Sequence, residues 1–567
     1  MRNTLCTLLL ITTALAQAQN YGIQTTFGNN GWFDGDMGPG DDHMRTSVLQ
    51  PDGKLIIAGT GYDINANSFH VSMVRIDTVC GTLDPSFGTG GELTLIFEQR
   101  TQLNAVALQP DGKIIGCGMI APSNGFASQW PGVFRLHTDG SVDSTFNSTG
   151  YLRVEAPGGG SGNFSGIFVT DTTITLSGAS ANGGLLWLRR YLYDGSVDTS
   201  FANNGEASLS LPNWGLFYEN MGIQLTDSSY VTGMTWASPN DYAFGLVKFL
   251  PNGDPDSTFG VNGVAATLIN GRSDGAMGLA ELADGKLLMS GKSNGSSGSG
   301  LVMVRLLPNG TPDPTFGTDG VSRVSGLDGG DYGSAFVVLP YGGTLQFAKA
   351  AVGNGGALMR DADGSVVSSF GTNGFLEIAG YAMTAGILLP SERMVCYGFS
   401  ASTVGYAIAG LTSDPVGDGL PVIAQNGAGL VVNGPGEFQW FLDGQLINGA
   451  TSSAFTPAQN GEYTVTMTVS PECIFTSSPY TVLNVGISDL SGTSLHIANN
   501  PVTDILVVLN NSGVVRYELL SIEGQRISTG LLHGGRNEID MNGMASGVYL
   551  LRTGSVGEIS PQRIIKQ

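Results

Sequence analysis

Val48-Leu-Gln-Pro-Asp-Gly-Lys-Leu-Ile-Ile-Ala-Gly59 is the stretch that decides the fold. Two apolar runs flank a Pro-Asp-Gly turn, and that pattern reads as a β-hairpin. It returns as Ala107-Leu-Gln-Pro-Asp-Gly-Lys-Ile-Ile-Gly-Cys-Gly118 and as Ala280-Glu-Leu-Ala-Asp-Gly-Lys-Leu-Leu-Met-Ser-Gly291, with degenerate copies near 167–178, 223–233, 337–348 and 387–398. Between hairpins an aromatic residue enters a glycine turn, as in Phe27-Gly-Asn-Asn-Gly31, and the same landmark recurs at Phe87, Phe146, Phe201, Phe259, Phe316 and Phe370. Successive phenylalanines stand 60, 59, 55, 58, 57 and 54 residues apart, a fixed period that marks a propeller, solenoid or array. A third landmark is an apolar strand running into another turn, at Val74-Arg-Ile, Phe134-Arg-Leu, Lys248-Phe-Leu and Val304-Arg-Leu.

Each unit therefore offers about four short strands with almost no helical periodicity. Four-stranded units repeated radially protect their edges as the blades of a β-propeller. Seven units between residues 21 and 411 predict an all-β, seven-bladed ring. The rival, an open β-solenoid, is built from shorter rungs. Which strand opens a blade, and whether an N-terminal strand closes the ring, is not set by the pattern.

The Phe-Gly-x-x-Gly, Leu-x-Pro-Asp-Gly-Lys and Arg-Leu-x-x-Asp-Gly-x-x-Asp-x-x-Phe elements together resemble the delta-sixty repeat of large bacterial surface proteins, over roughly residues 21–411. The copies at Ile167 and Ile223 depart from it by lacking Pro-Asp-Gly. The resemblance implies a propeller-like fold and implies no reaction.

Composition supports many strands joined by tight turns: of 567 residues 85 are glycine, 41% are hydrophobic and only 13% are charged. The 25 Lys and Arg against 47 Asp and Glu leave a net charge of −22, which repels a phosphate backbone and excludes nucleic acid as a partner. Met1-Arg2, the apolar run Leu5–Ala16 and small residues at Ala16 and Ala18 read as a signal peptide over residues 1–18. The run is shorter than the roughly 20 apolar residues a bilayer needs, and no later segment is long and apolar enough to span one. The mature chain keeps Cys80, Cys117, Cys396 and Cys473, too few for a disulfide framework, and their pairing stays open.

Arg75, Arg135, Arg190, Lys248 and Arg305 precede Asp84, Asp143, Asp198, Asp256 and Asp313 by eight or nine residues. A basic group and a carboxylate reproduced in every unit pin the connection between blades, by a salt bridge or by Asp accepting turn amides. In the sixth unit Arg360 persists while Val367 replaces the acid, so that junction is expected to be the weakest.

Chemistry is sparsely signalled. No H-E-x-x-H, C-x-x-C or dinucleotide fingerprint is present, and Gly291-Lys292-Ser293 fails as a phosphate loop because Gly285 stands one residue out of register. His43, His70 and His137 lie in the repeats, with nothing in sequence pairing one with a nucleophile and an orienting acid. Asp34, Asp36, Asp41 and Asp42 put four carboxylates within nine residues, a candidate calcium loop. The loop departs from a true one because Gly38 stands where a third ligand belongs, and a solvated acidic loop is the bland reading. Tyr62, Phe69, Phe126, Trp130, Trp236 and Tyr242, near Asn, Ser and Gly, form a candidate carbohydrate platform; the bland reading is packing between blades.

After residue 411 the repeats stop, and 412–421 is a turn-rich linker. Phe438-Gln-Trp-Phe-Leu-Asp-Gly-Gln-Leu-Ile-Asn-Gly449 followed by Asn460-Gly-Glu-Tyr-Thr-Val-Thr-Met467 alternates apolar and polar residues around an Asp-Gly turn. Residues 422–487 thus resemble the immunoglobulin-like spacer modules of bacterial surface proteins, without the antibody-type disulfide. The segments Asn499-Asn-Pro-Val-Thr-Asp-Ile-Leu506, Leu519-Leu-Ser-Ile-Glu-Gly-Gln-Arg-Ile527, Ile539-Asp-Met-Asn-Gly-Met-Ala-Ser-Gly-Val-Tyr-Leu-Leu551 and Arg563-Ile-Ile-Lys566 preserve the motif order of another family. They resemble the type A C-terminal sorting domain of the type IX secretion system of Bacteroidetes, over residues 495–567. The resemblance places Pro501, Asp504, Gly524, Gly547, Tyr549 and Lys566 at its motif positions and implies the type IX secretion machinery as a partner. By its physics alone this segment is a second small β-sandwich.

The expectation is a secreted or surface scaffold without cofactor, whose propeller presents a surface to an extracellular glycan or protein. The rivals are an extracellular hydrolase or lyase acting on polysaccharide or peptide at the propeller mouth, and a calcium-dependent adhesin. An enzyme requires unlike polar groups converging in one pocket; a scaffold repeats the same residues for the same task in every blade.

Overall fold

The computed structural model describes residues 21–29, 31–123, 129–159, 161–180, 185–210, 215–237, 242–269, 275–295, 298–328, 335–350, 354–378, 381–400, 405–412, 420–427, 429–434, 436–470, 473–483, 495–511, 513–553 and 562–567. Among these every regular element is a strand. The chain divides into two compact units, residues 1–420 with 471–473, and residues 421–470 with 474–567.

In the first unit the described residues form seven antiparallel, propeller-like sheets in chain order. The first is the meander Asp42–Leu49, Lys54–Asp63, Ser68–Asp77 and Glu92–Leu95. The following sheets repeat it, their first strands being Arg100–Leu108, Gly162–Val169, Gly215–Gln224, Gly275–Glu281, Phe336–Val338 and Tyr381–Leu388. The seventh takes its outer edge from the start of the chain: Gly22–Ile23 and Trp32–Gly35 both pair with Tyr406–Thr412. This answers what the repeat pattern left open. The repeat as it is read along the chain begins at an outer strand, so its first copy completes the last sheet.

First strands pack on one another from the first sheet to the fifth and from the sixth to the seventh, and that of the seventh packs on that of the first. Close approach is helped by β-bulges at matching places, between Met44 and Thr46, Leu103 and Ala105, Phe164 and Gly166, Ala276 and Gly278, and Met383 and Ala385. Bulge residues bridge to the next sheet: Asn104 Nδ2 donates to the Phe164 carbonyl at 2.7 Å and Thr384 Oγ1 to that of Met44 at 2.6 Å. A side chain has no room there, since a Cβ on Gly166 meets Ser177 Oγ at 2.4 Å.

Within this unit Cys80 and Cys473 form a disulfide with Cα atoms 6.1 Å apart, while Cys117 and Cys396 are buried thiols. The second unit holds two pairs of small antiparallel sheets. In residues 423–482, Trp440 and Tyr463 are wholly buried in the core, and the Trp440 indole donates to the Ser452 carbonyl at 2.9 Å. In residues 495–566, Leu506, Leu519 and Ile564 are buried in one cluster.

Candidate functional site

A meander sends its connections alternately to two ends. In the first six sheets the turns between first and second strands and between third and fourth strands share one end, and the remaining connections share the other; in the seventh the turn between first and second strands lies at that same first end. All the repeated landmarks fall at the first end: Pro51-Asp-Gly-Lys54 joins the first and second strands of the first sheet, and Phe87-Gly-Thr-Gly-Gly91 joins its third and fourth.

At this pinned end the seven phenylalanines are at most 2% exposed, each burial being worth about 2–3 kcal/mol. The rings of Phe27, Phe87, Phe201, Phe259 and Phe316 lie beneath the turn of the following sheet, where only glycine fits. A Cβ on Gly140, in the left-handed region at φ +88°, meets the Phe87 ring at 2.9 Å, and one on Gly364 meets that of Phe316 at the same distance. The amide after six of the landmark rings donates to that turn, as Gly28 does to the Cys80 carbonyl at 2.6 Å, Gly88 to Asp139 at 2.9 Å and Gly317 to Asp363 at 2.8 Å.

The repeated charges complete the junction. Arg135 Nε donates to Asp143 Oδ2 at 2.8 Å and Nη2 to Thr145 Oγ1 at 2.8 Å, Nη1 donates to the Tyr193 carbonyl of the next sheet, and the guanidinium lies 5.2 Å over the Phe146 ring. Arg75 with Asp84 and Arg305 with Asp313 repeat the arrangement, reaching the Thr138 and Ala362 carbonyls. Each aspartate also accepts turn donors, as Asp143 does from the Thr145 amide and hydroxyl. Burial pushes the Asp84 carboxyl up, but hydrogen bonds from Lys54 and Ser86 and the Arg75 charge outweigh it and bring its pKa down to about 2. Asp143 and Asp313 are lowered in the same way. The lysine of the Pro-Asp-Gly-Lys landmark, to which sequence reasoning gave no role, shares this acid: Lys54 Nζ is 2.8 Å from Asp84, Lys113 is 3.1 Å from Asp143 and Lys286 is 3.3 Å from Asp313. The signal was available, because this lysine recurs with the turn.

The sixth sheet corrects the expected pairing. Met359, not Arg360, occupies the place of Arg305: the Val367 amide donates to the Met359 carbonyl as the Asp313 amide donates to that of Arg305. Met359, Val367 and Phe370 share one apolar cluster. The junction is therefore an apolar counterpart of the ionic pin, not a pin that has lost its acid, and the reason for expecting it to be the weakest falls away. Arg360 faces the opposite side of the strand and is fully buried.

The unlike residues lie at the other end. The acidic loop connects Trp32–Gly35 with Asp42–Leu49. Asp42 is 1% exposed, and its oxygens are occupied: Oδ2 accepts the Met37 amide at 2.9 Å and Oδ1 the Ser72 hydroxyl at 2.8 Å. Asp36 accepts the Gly38 amide at 3.0 Å, and Asp41 stands 3.9 Å from His43 Nε2. Among the described residues no group of three or more His, Cys, Asp or Glu side chains is spaced for a metal ion, and Asp34, Asp36, Asp41 and Asp42 make no such group.

His70 Nε2 stands 3.8 Å from Asp42 Oδ1, with Gly61 between their strands leaving the space. Burial raises the Asp42 carboxyl, against the pull of Met37 and Ser72, and burial lowers the His70 imidazole. Ser, Asp and His thus meet, but with Asp between the other two; nucleophilic catalysis places His between Ser and Asp. His43 stacks edge-on to Phe399 at 5.0 Å, and burial with the Arg45 charge lowers its pKa to about 4 despite Asp41. His137 lies at the pinned end, 3.7 Å from Asp143.

Of the aromatic candidates, Tyr62 and Phe69 pack together at 4.9 Å, Arg100 covers Phe69 at 4.4 Å, and Arg153 covers Trp130 at 5.1 Å while pairing with Glu98 at 3.2 Å. Phe126 lies outside the described residues, and Trp236 and Tyr242 are described in backbone only, paired one step apart across neighbouring strands. The structure thus brings Tyr62, Phe69 and Trp130 onto the loop end of the first two sheets, with guanidinium groups on two of the faces.

In the tail, Lys566 Nζ donates to the Thr503 carbonyl and stands 3.8 Å from Asp504, Gly547 lies opposite Lys566, and the Val502 amide donates to the Ile565 carbonyl at 2.8 Å. Pro501, Asp504, Gly547 and Lys566 are therefore neighbours, Tyr549 follows on the same strand, and Gly524 sits apart at a turn with φ +85°.

Residues 50–87, 109–146 and 282–316 match the family described as Domain of unknown function (DUF5122) beta-propeller, and residues 497–567 match the Secretion system C-terminal sorting domain. No curated protein matches the chain. Among solved structures it is similar to PorZ, described as an essential bacterial surface component of the type-IX secretion system of Porphyromonas gingivalis, at 11% identity and TM-score 0.35 over 94% of this chain and 60% of that one. It is also similar to a protein of unknown function from Bacteroides caccae, at 13% identity and TM-score 0.33 over 57% of this chain and 93% of that one. A third is the β-propeller domain of the Trilobed protease from Pyrococcus furiosus, at 11% identity and TM-score 0.33 over 66% and 92%. The chain spans less than two thirds of the PorZ chain. It carries β-propeller segments and a sorting tail; the tail links it to the type IX secretion system and implies secretion to the cell surface or outside. No helix among the described residues is long and apolar enough to cross a membrane.

Proposed function

We propose that this chain is a non-enzymatic binding or structural scaffold, secreted or displayed at the cell surface, whose seven sheets are the blades of one propeller. One observation carries the reading: every repeated side chain works at the pinned end, while the unlike residues collect at the loop end around Tyr62, Phe69, Trp130 and the acidic loop. A surface freed from holding the blades together is free to recognise an extracellular glycan or protein. In this reading residues 1–18 direct export, 422–487 form an immunoglobulin-like spacer and 495–567 address the chain to the type IX machinery. The Cys80–Cys473 bridge suits an oxidising exterior.

The test is a glycan-array and protein-capture screen with the mature chain and its Tyr62→Ala variant. Binding that the substitution weakens is expected; release of sugar or peptide products from any arrayed substrate would refute the scaffold reading in favour of the hydrolase or lyase. Deleting 495–567 is expected to strand the protein in the periplasm, and continued release would defeat the sorting role.

A further inference from the structure

Arg360 occupies a place that is apolar in every other sheet. Cross-strand register pairs it with Thr344, where the corresponding pairs are Ile76 with Leu55, Leu136 with Ile114, Tyr191 with Ile174, Phe249 with Tyr230, Leu306 with Leu287 and Leu411 with Met394. Its side chain has no exposure. Nη1 donates to Gln346 Oε1 at 2.5 Å and Nε to Ser322 Oγ at 3.2 Å, both neutral acceptors, and Nη2 has no hydrogen-bond partner.

The neighbours are committed elsewhere. Gln346 Nε2 donates to the Gly291 and Val302 carbonyls, which holds its oxygen toward Arg360, and Ser322 Oγ donates to the Gly364 carbonyl at 2.6 Å. Burial shifts the guanidinium down to about 9, and among the described residues no carboxylate pairs with it; a guanidinium is a cation at neutral pH. An isolated buried cation costs several kcal/mol unless a counter-charge accompanies it. Water satisfies an N–H but not the charge.

We infer that Arg360, with Gln346 and Ser322 orienting it, forms a buried site for a small monovalent anion of the halide class between the fifth and sixth sheets, with Nη2 as the donor.

The test compares thermal unfolding of the mature chain in sodium chloride and in sodium gluconate at equal ionic strength, beside the Arg360→Leu variant. Leucine suits the place, since Leu306 fills it in the fifth sheet. Chloride at ten times its dissociation constant should raise the wild-type midpoint by about 2 °C for a domain of this length, and the variant should show no difference between the two salts. Crystals soaked in bromide should give an anomalous peak within contact of Arg360 Nη2. Equal melting of the wild type in both salts, an undiminished chloride effect in the variant, or no bromide at Arg360 would each overturn the assignment.

Discussion

The apolar junction of the sixth sheet makes the ionic pins testable by transplantation. Asp143 is fully buried and Arg135 is 4% exposed. Asp143→Ala leaves that guanidinium with the Tyr193 carbonyl, the Thr145 hydroxyl and the Phe146 ring, but no counter-charge. Breaking one side of a buried pair costs about 3–5 kcal/mol. The surviving contacts favour the lower end, and about 3 kcal/mol over a unit of some 390 residues lowers the unfolding midpoint by about 4 °C. The double variant Arg135→Met with Asp143→Val copies Met359 and Val367 beside the equivalent phenylalanine. It should recover most of the loss, because Lys113, whose side chain is 28% exposed, turns to solvent once the acid is gone. Calorimetry of the three mature chains decides the matter. A double variant as unstable as the single one, or a single variant indistinguishable from wild type, would show that the pair does not hold the junction.

Acid should weaken the same junctions. Asp84 has a folded pKa near 2 against an ordinary 3.8, so its stabilisation is complete above about pH 4 and is lost as the pH falls through about 2; a melting temperature that stays flat from pH 5 to 2 would contradict this. Gly81→Ala puts a Cβ 2.5 Å from the Phe27 ring at a residue with φ +68°, and a loss above about 1 kcal/mol is expected from urea titration, an unaltered midpoint counting against the seam described. Cys80→Ser opens a covalent loop spanning 393 residues, and the variant should migrate more slowly than the parent on non-reducing gels; identical mobility would argue that the bridge does not form.

Most of the strand order was legible because the period is short and each landmark marks a turn. Pro-Asp-Gly-Lys and Phe-Gly-x-x-Gly report local backbone demands, and local demands survive in a single sequence. What sequence reading missed involves neighbours distant along the chain. The closing of the seventh sheet by Gly22–Ile23 and Trp32–Gly35 depends on residues nearly four hundred positions away. The pairing of Cys80 with Cys473 is of the same kind. The acidic loop stood as a candidate cation site beside a solvated one because spacing alone cannot tell whether a carboxylate is taken; Asp42 turns inward to the Ser72 hydroxyl and the Met37 amide. Met359 was hidden by Arg360 for a simpler reason. An arginine one place along looks like the same arginine until the strand's alternation is fixed.

That one-place displacement separates two requirements that the other sheets cannot distinguish. Neighbouring residues on a strand face opposite sides, so moving a charge by one position carries it from the junction to the core face. At the junction the sixth sheet shows that Met359 and Val367 serve in place of Arg and Asp, and the fold therefore does not require an ion pair there. In the core the six other sheets show that an apolar pair serves at the position of Arg360 and Thr344, and the fold therefore does not require a charge there either. The two facts point in opposite directions. Losing the ionic pin is explained by an equivalent apolar contact, whereas gaining a buried guanidinium is compensated by no acidic group among the described residues. A charge that the repeat does not ask for and the protein does not neutralise is best accounted for by something it binds.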